Sequence, residues 1–149
     1  MRKNANNNVE MIEKQVESRG IEDENVIQAM KDIDRSIFVD RKYSSLAYAD
    51  RPLPIGYNQT ISQPYIVGFM TEKLDINKNH KVLEIGSGCG YQTAVLCKLA
   101  KYVYGIDIVD RTCVGKVNPV KLSRFDFTFI AVRTSDESVF LSGLTGALD

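Results

Sequence analysis

The sequence predicts an α/β fold in which N-terminal helices precede a parallel sheet, and three observations carry that expectation. Residues 81–107 read as strand, glycine turn, helix and strand, a βαβ unit of the kind that builds parallel sheets covered by helices. Residues 9–33 carry apolar side chains at helical spacing. The chain has 149 residues, 44% hydrophobic and 26% charged, ordinary values for one soluble domain with its own core.

The elements follow in order. Residues 1–8 hold Arg2, Lys3 and several asparagines, and read as a frayed lead. No apolar stretch stands behind the two basic residues, so no secretory signal is expected and the cytoplasm is the default compartment. Val9, Ile12 and Val16 recur at helical spacing, and Gly20 suits a helix end. Asp23 can cap a second helix with Val26, Met30 and Ile33 on one face. Phe38 and Val39 lead into a loop.

Residues 50–64 contain three of the four prolines, Pro52, Pro54 and Pro64. They read as an ordered loop, neither helix nor central strand, and long ordered loops are more often functional than not. Ser62 or Gln63 can cap the next helix, with Pro64 in its first turn and Ile66, Val67, Phe69, Met70 and Leu74 facing a core. Lys81-Val-Leu-Glu-Ile85 is a short buried strand and Gly86-Ser-Gly-Cys-Gly90 a turn. Tyr91 to Lys101 is a helix with Ala94, Val95, Leu96 and Leu99 apolar, and Tyr102 to Asp107 a second strand. Beyond Asp110 the pattern weakens. Asp126 to Arg133 alternates enough for a strand, Val139 to Leu144 is ambiguous, and no internal repeat is found.

Composition excludes several classes. Nineteen basic residues balance nineteen acidic ones, so the basic footprint of a nucleic-acid binder is missing. No apolar run reaches the roughly 18 residues of a membrane span. Cys89, Cys97 and Cys113 form no C-x-x-C pair, and His80 is the one histidine. Neither a disulfide framework nor a metal site is expected. His80 sits in a polar loop and reads as solvated, Cys97 as a core filler, and Cys89 as packing or pocket lining. Tyr43, Tyr48, Tyr57 and Tyr65 read as half-buried packing or as a peptide-binding surface.

Glycines permit φ > 0 and close approach of a ligand to the backbone. A strand running through glycines into a helix presents free N–H groups at the carboxyl edge of the sheet. The dinucleotide fingerprint is G-x-G-x-x-G with an acid about 20 residues on. Here Gly86, Gly88 and Gly90 give G-x-G-x-G, and Glu84 stands two residues before the first. That pattern resembles motif I of the class I S-adenosylmethionine-dependent methyltransferases. The resemblance implies a Rossmann-like class I methyltransferase fold and S-adenosyl-L-methionine as cofactor. It assigns cofactor contacts to Glu84, Gly86, Ser87, Gly88 and Gly90. It also gives Asp107, at the end of the second strand, the ribose hydroxyls. The plainer alternatives are a tight structural turn and two ordinary acids.

Upstream, Asp50-Arg-Pro-Leu-Pro-Ile-Gly-Tyr-Asn-Gln-Thr-Ile-Ser-Gln-Pro-Tyr65 precedes Val82-Leu-Glu-Ile-Gly-Ser-Gly-Cys-Gly-Tyr-Gln-Thr-Ala94. Together they resemble protein-L-isoaspartate O-methyltransferase. Arg35-Ser-Ile-Phe-Val39 and Ala47-Tyr-Ala-Asp-Arg51 resemble the same family, so the likeness runs from Val9 to Val109. It implies methyl transfer to the α-carboxylate of L-isoaspartyl residues in aged proteins or peptides, which are the implied partners. Ser62 matches the family's active-site serine and Thr60 lies beside it; capping of the next helix is the alternative role for Ser62, and the two are compatible.

The likeness stops at residue 109. The expected third strand, Gly-Asp-Gly turn, Pro-Gly-Gly turn and final hairpin do not follow. Residues 1–109 therefore read as the helices, substrate loop and first βαβ unit. Residues 110–149 read as a divergent tail of the same domain. Either the tail is unrelated to the family, or Phe125 to Val132 is its fourth strand after a deletion. Leu83, Ile85, Val103 and Ile106 need neighbours that two strands alone do not supply. The sheet is thus expected to be incomplete, and a weakened or inactive relative, or a methyltransferase for another acceptor, stand as alternative readings.

Overall fold

The computed structural model describes residues 2–107, 129–132 and 140–142, with side chains for residues 7–107. Helix α1 (Arg2–Gln15) takes in the segment expected to fray, and Asn8 supplies the reason. Helix α2 (Glu24–Asp32) ends with carbonyls that have no partner inside the helix. The Asn8 side chain, 1% exposed, fills that end. Its Nδ2 donates to the carbonyls of Met30 and Lys31, at 3.1 Å each, and of Ile33 at 3.3 Å. Its Oδ1 accepts from the Arg35 N–H at 3.2 Å. An asparagine that reads as part of a polar lead is a cap for a helix distant in sequence.

The other helix signals read as expected. Gly20 closes a short 3-10 turn after α1 at φ +91. Asp23 caps α2, accepting from the N–H groups of Asn25 and Val26 at 2.8 and 3.3 Å. Asp34 and Asp40 open two further 3-10 turns, Arg35–Phe38 and Arg41–Leu46.

Residues 50–64 are not wholly loop. Strands β1 (Leu53–Gly56) and β2 (Gln59–Ile61) form an antiparallel hairpin. Tyr57 and Asn58 turn its tip at φ +52 and +55, the pattern of a type I′ turn. Pro54 is tolerated because the ribbon has only two strands and therefore a free edge. Leu53 and Ile61 anchor the ribbon, at 0% and 1% exposure. Helix α3 (Pro64–Lys73) starts immediately after, with Val67 and Met70 buried. Glu72 of α3 accepts from the N–H groups of Glu22 and Asp23 at 2.7 and 3.0 Å, tying it to the start of α2.

Strand β3 (Lys81–Ile85), helix α4 (Tyr91–Leu99) and strand β4 (Tyr102–Ile106) form the βαβ unit. Its strands run parallel, from Lys81 opposite Tyr102 to Ile85 opposite Ile106. Strand β5 (Phe129–Val132) lies parallel on the other side of β3, and β6 (Phe140–Ser142) is antiparallel to β5. The order β4-β3-β5-β6 matches the second, first and fourth places of a doubly wound sheet, whose switch point falls beside the first strand. The alternating stretch 126–133 thus contains a strand, and so does the ambiguous 139–144. The expected third strand and Gly-Asp-Gly turn would fall within 108–128, outside the described residues.

One apolar cluster joins α1, α2, the hairpin, α3 and α4, through Ile12, Val16, Met30, Leu53, Val67 and Val95 among others. A second joins Leu74, Val82, Leu96 and Ala100, seating α4 on β3. Tyr102 and Ile106 on β4 remain 51% and 42% exposed. Replacing Asn8 by Ala should lower stability by about 2–3 kcal/mol, since buried carbonyls and an N–H lose their partner. Urea unfolding measures it; a loss below about 0.5 kcal/mol, the ordinary range for surface changes, would remove the cap.

Candidate functional site

Between β3 and α4 the chain turns through Gly86, Gly88 and Gly90 at φ +86, +54 and +84. Three left-handed positions at alternate residues explain why the turn is built on glycine. The N–H groups of Gly86 and Ser87 donate to the Ile106 carbonyl at 2.7 and 3.2 Å, and Gly90 N–H donates to the Ser87 carbonyl at 2.8 Å. The turn is therefore laced across the end of β4. The next residue, Asp107, accepts at Oδ2 from the Gly88 N–H at 2.7 Å. That carboxylate and the glycine turn form one unit at the carboxyl ends of the strands.

Glu84 is 3% exposed. Its carboxylate accepts a short hydrogen bond from the Thr93 hydroxyl on α4. Alternation places it on the same side of β3 as Val82, which packs with Leu96 of α4 and Ala100 at its C-cap. Glu84 is held against the helix rather than exposed at the strand end.

A cleft lies between this turn and the junction of hairpin and α3. Ile61, Ser62, Val67 and Met70 line one side, and Glu84, Ile85, Gly86, Ser87, Cys89, Tyr91 and Gln92 the other. An apolar lining with a few converging polar groups is the usual make-up of a small-molecule site. Of the residues singled out in the sequence, Ser62, Glu84, Gly86 and Ser87 meet in this cleft. Gly88 and Asp107 bond to each other and Gly90 is the N-cap of α4, but none of these three is part of the lining. Thr60 is on β2 opposite Pro54 and is not part of the lining.

Ser62 does not cap α3. Gln63 holds the cap position without a side-chain bond to the helix. Its amide turns instead to Asp50 Oδ1 at 2.8 Å. The Ser62 hydroxyl is thus not engaged by the helix.

Arg35 is the residue that sequence reasoning missed. It is fully buried. Its Nε donates to the Ala47 carbonyl at 2.9 Å, Nη1 to the Ser62 carbonyl at 2.7 Å and Nη2 to the Arg51 carbonyl at 3.3 Å. Its guanidinium carbon lies 5.5 Å from the centre of the Tyr91 ring. Its neighbours Asp34 and Ser36 are polar too, so nothing local marked this arginine as buried. Nearby, Gln15 Nε2 donates to the Tyr48 carbonyl at 2.8 Å, and Arg19 reaches Asp50 Oδ2 at 3.3 Å. The Tyr91 side chain is 1% exposed, and its hydroxyl has no hydrogen-bond partner among the described residues. Burial pushes that phenol above its ordinary pKa.

Of the smaller expectations, those for Cys97, His80 and Tyr57 change, and those for Cys89, Tyr43, Tyr48 and Tyr65 stand. Cys97 is exposed, because the buried stripe of α4 runs through Tyr91, Val95, Leu96 and Leu99. Cys89 both packs on the core and lines the cleft. His80 is half-buried, and its Nδ1 accepts from the Asn77 N–H at 3.2 Å. Tyr43, Tyr48 and Tyr65 are half-buried, whereas Tyr57 is 77% exposed at the hairpin tip. Among the described residues no group of three or more His, Cys, Asp or Glu is placed to hold a metal ion. No described helix is long and apolar enough to cross a membrane.

A parallel sheet, a glycine turn laced to the next strand, and an acid closing on that turn define a Rossmann-like fold of the class I methyltransferase type. The chain belongs to the protein-L-isoaspartate(D-aspartate) O-methyltransferase family, whose family model matches residues 6–138. The match passes residue 109 and takes in β5, so the tail up to residue 138 is not unrelated to the family. A protein-L-isoaspartate O-methyltransferase of Methanoculleus marisnigri is 54% identical over 106 residues, covering 68% of this chain and 48% of its own length. Protein-L-isoaspartate O-methyltransferase 2 of Shewanella sediminis is 44% identical over 128 residues, covering 85% and 51%. The chain spans about half the length of these curated relatives. Among solved structures, one from Plasmodium falciparum aligns with a TM-score of 0.59 at 25% identity, covering 68% of this chain and 49% of that one. It is described as a protein-L-isoaspartate O-methyltransferase in complex with S-adenosyl-L-homocysteine.

Thr93→Val should lower stability by about 1.5–3 kcal/mol, because it removes a donor from a buried carboxylate. Urea unfolding reads it directly. A change under about 0.5 kcal/mol would mean that the hydroxyl does not hold Glu84.

Proposed function

We propose that the chain transfers methyl groups from S-adenosyl-L-methionine to the α-carboxylate of L-isoaspartyl residues in damaged proteins or peptides, a repair reaction. The observation that supports it best is that Ser62 and the Glu84–Ser87 stretch line one cleft in a chain of this family.

The residues present fit the cofactor. Its ribose offers two hydroxyl donors, and Asp107 is a carboxylate that only accepts. The glycine backbone leaves room for close approach. Glu84, Gly86, Ser87, Gly88, Gly90 and Asp107 would hold it. When bound, the cofactor supplies a methyl group already activated on a sulfonium sulfur. An isoaspartyl carboxylate is ionised near pH 7, so no general base is needed. What is left to the protein is alignment and exclusion of water. Ser62 donates its hydroxyl to one carboxylate oxygen. Thr60, outside the lining, is assigned no contact with the acceptor.

Residues 1–149 act as one domain in this reading, with β5 from the tail on the far side of β3. The partners are isoaspartyl proteins or peptides rather than nucleic acids. The compartment is the cytoplasm, a reading supported by the free thiols Cys89 and Cys97. Binding without turnover is a second reading, favoured by the chain spanning about half of its relatives' length.

Calorimetric titration of the folded chain with S-adenosylhomocysteine, then methylation of an isoaspartyl peptide, tests both readings. Binding and turnover are expected; binding alone selects the second reading, and no binding removes both. Ser62→Ala should lower turnover roughly tenfold to a hundredfold, the worth of one hydrogen bond to a charged group, with binding of S-adenosylhomocysteine kept. Unchanged turnover would remove Ser62 from the site. Asp107→Ala should weaken S-adenosylhomocysteine binding by about the same factor, and unchanged affinity would end the ribose assignment.

A further inference from the structure

We infer that Arg35 is a positioning residue for the methyl-acceptor site, holding Ser62 at a fixed place relative to the cofactor turn; the inference rests on the proposed function. Arg35 is on a 3-10 turn behind the hairpin and does not line the cleft. Its guanidinium grips one segment at three places. Ala47 precedes the hairpin, Arg51 leads into β1, and Ser62 follows β2. The bond to Ser62 is the shortest of the three, at 2.7 Å.

Three carbonyls in three directions suit a planar fork of fixed N–H donors, whereas an ammonium is a compact point charge on a flexible stem. The grip falls on the main chain of Ser62, and the hydroxyl of Ser62 is not engaged by the helix cap. Backbone position and side-chain function are therefore separated. The same guanidinium faces Tyr91, the first residue of α4, at 5.5 Å. Tyr91 follows the glycine turn directly. One buried group thus touches both the acceptor side and the cofactor side of the cleft. Methyl transfer without a general base depends on in-line alignment, and a misplacement of about 1 Å costs on the order of a hundredfold in rate.

The test is a double-mutant cycle in the full chain. Isoaspartyl-peptide turnover is measured for wild type, Arg35→Lys, Ser62→Ala and the double variant, with S-adenosylhomocysteine affinity measured in parallel. Arg35→Lys is expected to lower kcat/KM by about tenfold to a hundredfold with cofactor-product affinity kept. The double variant is expected to be no slower than Ser62→Ala, because Arg35 acts through Ser62. Additive losses, as for independent sites, overturn the inference, and so does unchanged turnover in Arg35→Lys. If wild type fails to methylate the peptide, the proposed function falls and takes the inference with it. A wild type that turns over beside an additive cycle overturns the inference alone.

Arg35→Lys also leaves a buried cavity and can fail to fold. The wild type then supplies the reading. With guanidinium nitrogens labelled, the Arg35 N–H signals are expected to shift when isoaspartyl peptide is added to the S-adenosylhomocysteine-saturated protein. Signals that do not move overturn the inference.

Discussion

The guanidinium of Arg35 is a full charge in a place with no exposure to water. Burying it costs several kcal/mol unless its donors are met. Three of its five N–H donors go to the carbonyls of Ala47, Arg51 and Ser62. The backbone N–H of the same residue is held by Asn8, which also closes the end of α2. Helix α1, the end of α2 and the base of the hairpin are consequently one hydrogen-bonded body. Removing any part leaves buried polar groups without partners, so the network holds or fails together.

The sheet imposes the complementary constraint. With β4 on one side of β3 and β5 on the other, β3 stands at the place where an open α/β sheet of this order takes a ligand at its carboxyl ends. The glycine turn closes one wall of the cleft there. Its positive φ values turn the chain sharply enough for Gly86 and Ser87 to bond to the end of β4. That lacing brings Asp107 onto Gly88. The acid's Oδ2 is thereby held by a main-chain N–H of the turn.

Legibility followed the range of the interactions. Asp23, Gly20, the β3–α4–β4 unit and the glycine turn are local: cap, turn and strand are written within a few neighbouring residues, and each was readable. Asn8 and Arg35 were not, because their partners lie 22 and 27 residues away at Met30 and Ser62. Nothing adjacent distinguishes a capping asparagine from a frayed one. The hairpin was hidden for another reason. Prolines argue against central strands, yet a two-stranded ribbon has no centre, so Pro54 was no obstacle. Cys97 was misread by one step of helical phase: its neighbour Leu96 is fully buried while it is exposed.

The two halves of the cleft differ in how they are supported, and that difference bears on a chain of this length. The acceptor side is held from residues 8 to 63 by side chains reaching back to main chain: Asn8, Gln15, Arg35 and Gln63. These hydrogen bonds all fall within residues 8–63. The cofactor side is held by β3, β4 and α4, and β4 carries Tyr102 and Ile106 at about half exposure, 51% and 42%. Strand β5 supports β3 directly through the pairing from Val82–Phe129 to Ile85–Val132, but it touches β4 only through β3. The side that would hold S-adenosyl-L-methionine is therefore the one whose rigidity depends on what lies against β4. The side that would orient a carboxylate is hydrogen-bonded within the N-terminal helices and hairpin, and Arg35 beneath Tyr91 is the point where the two meet.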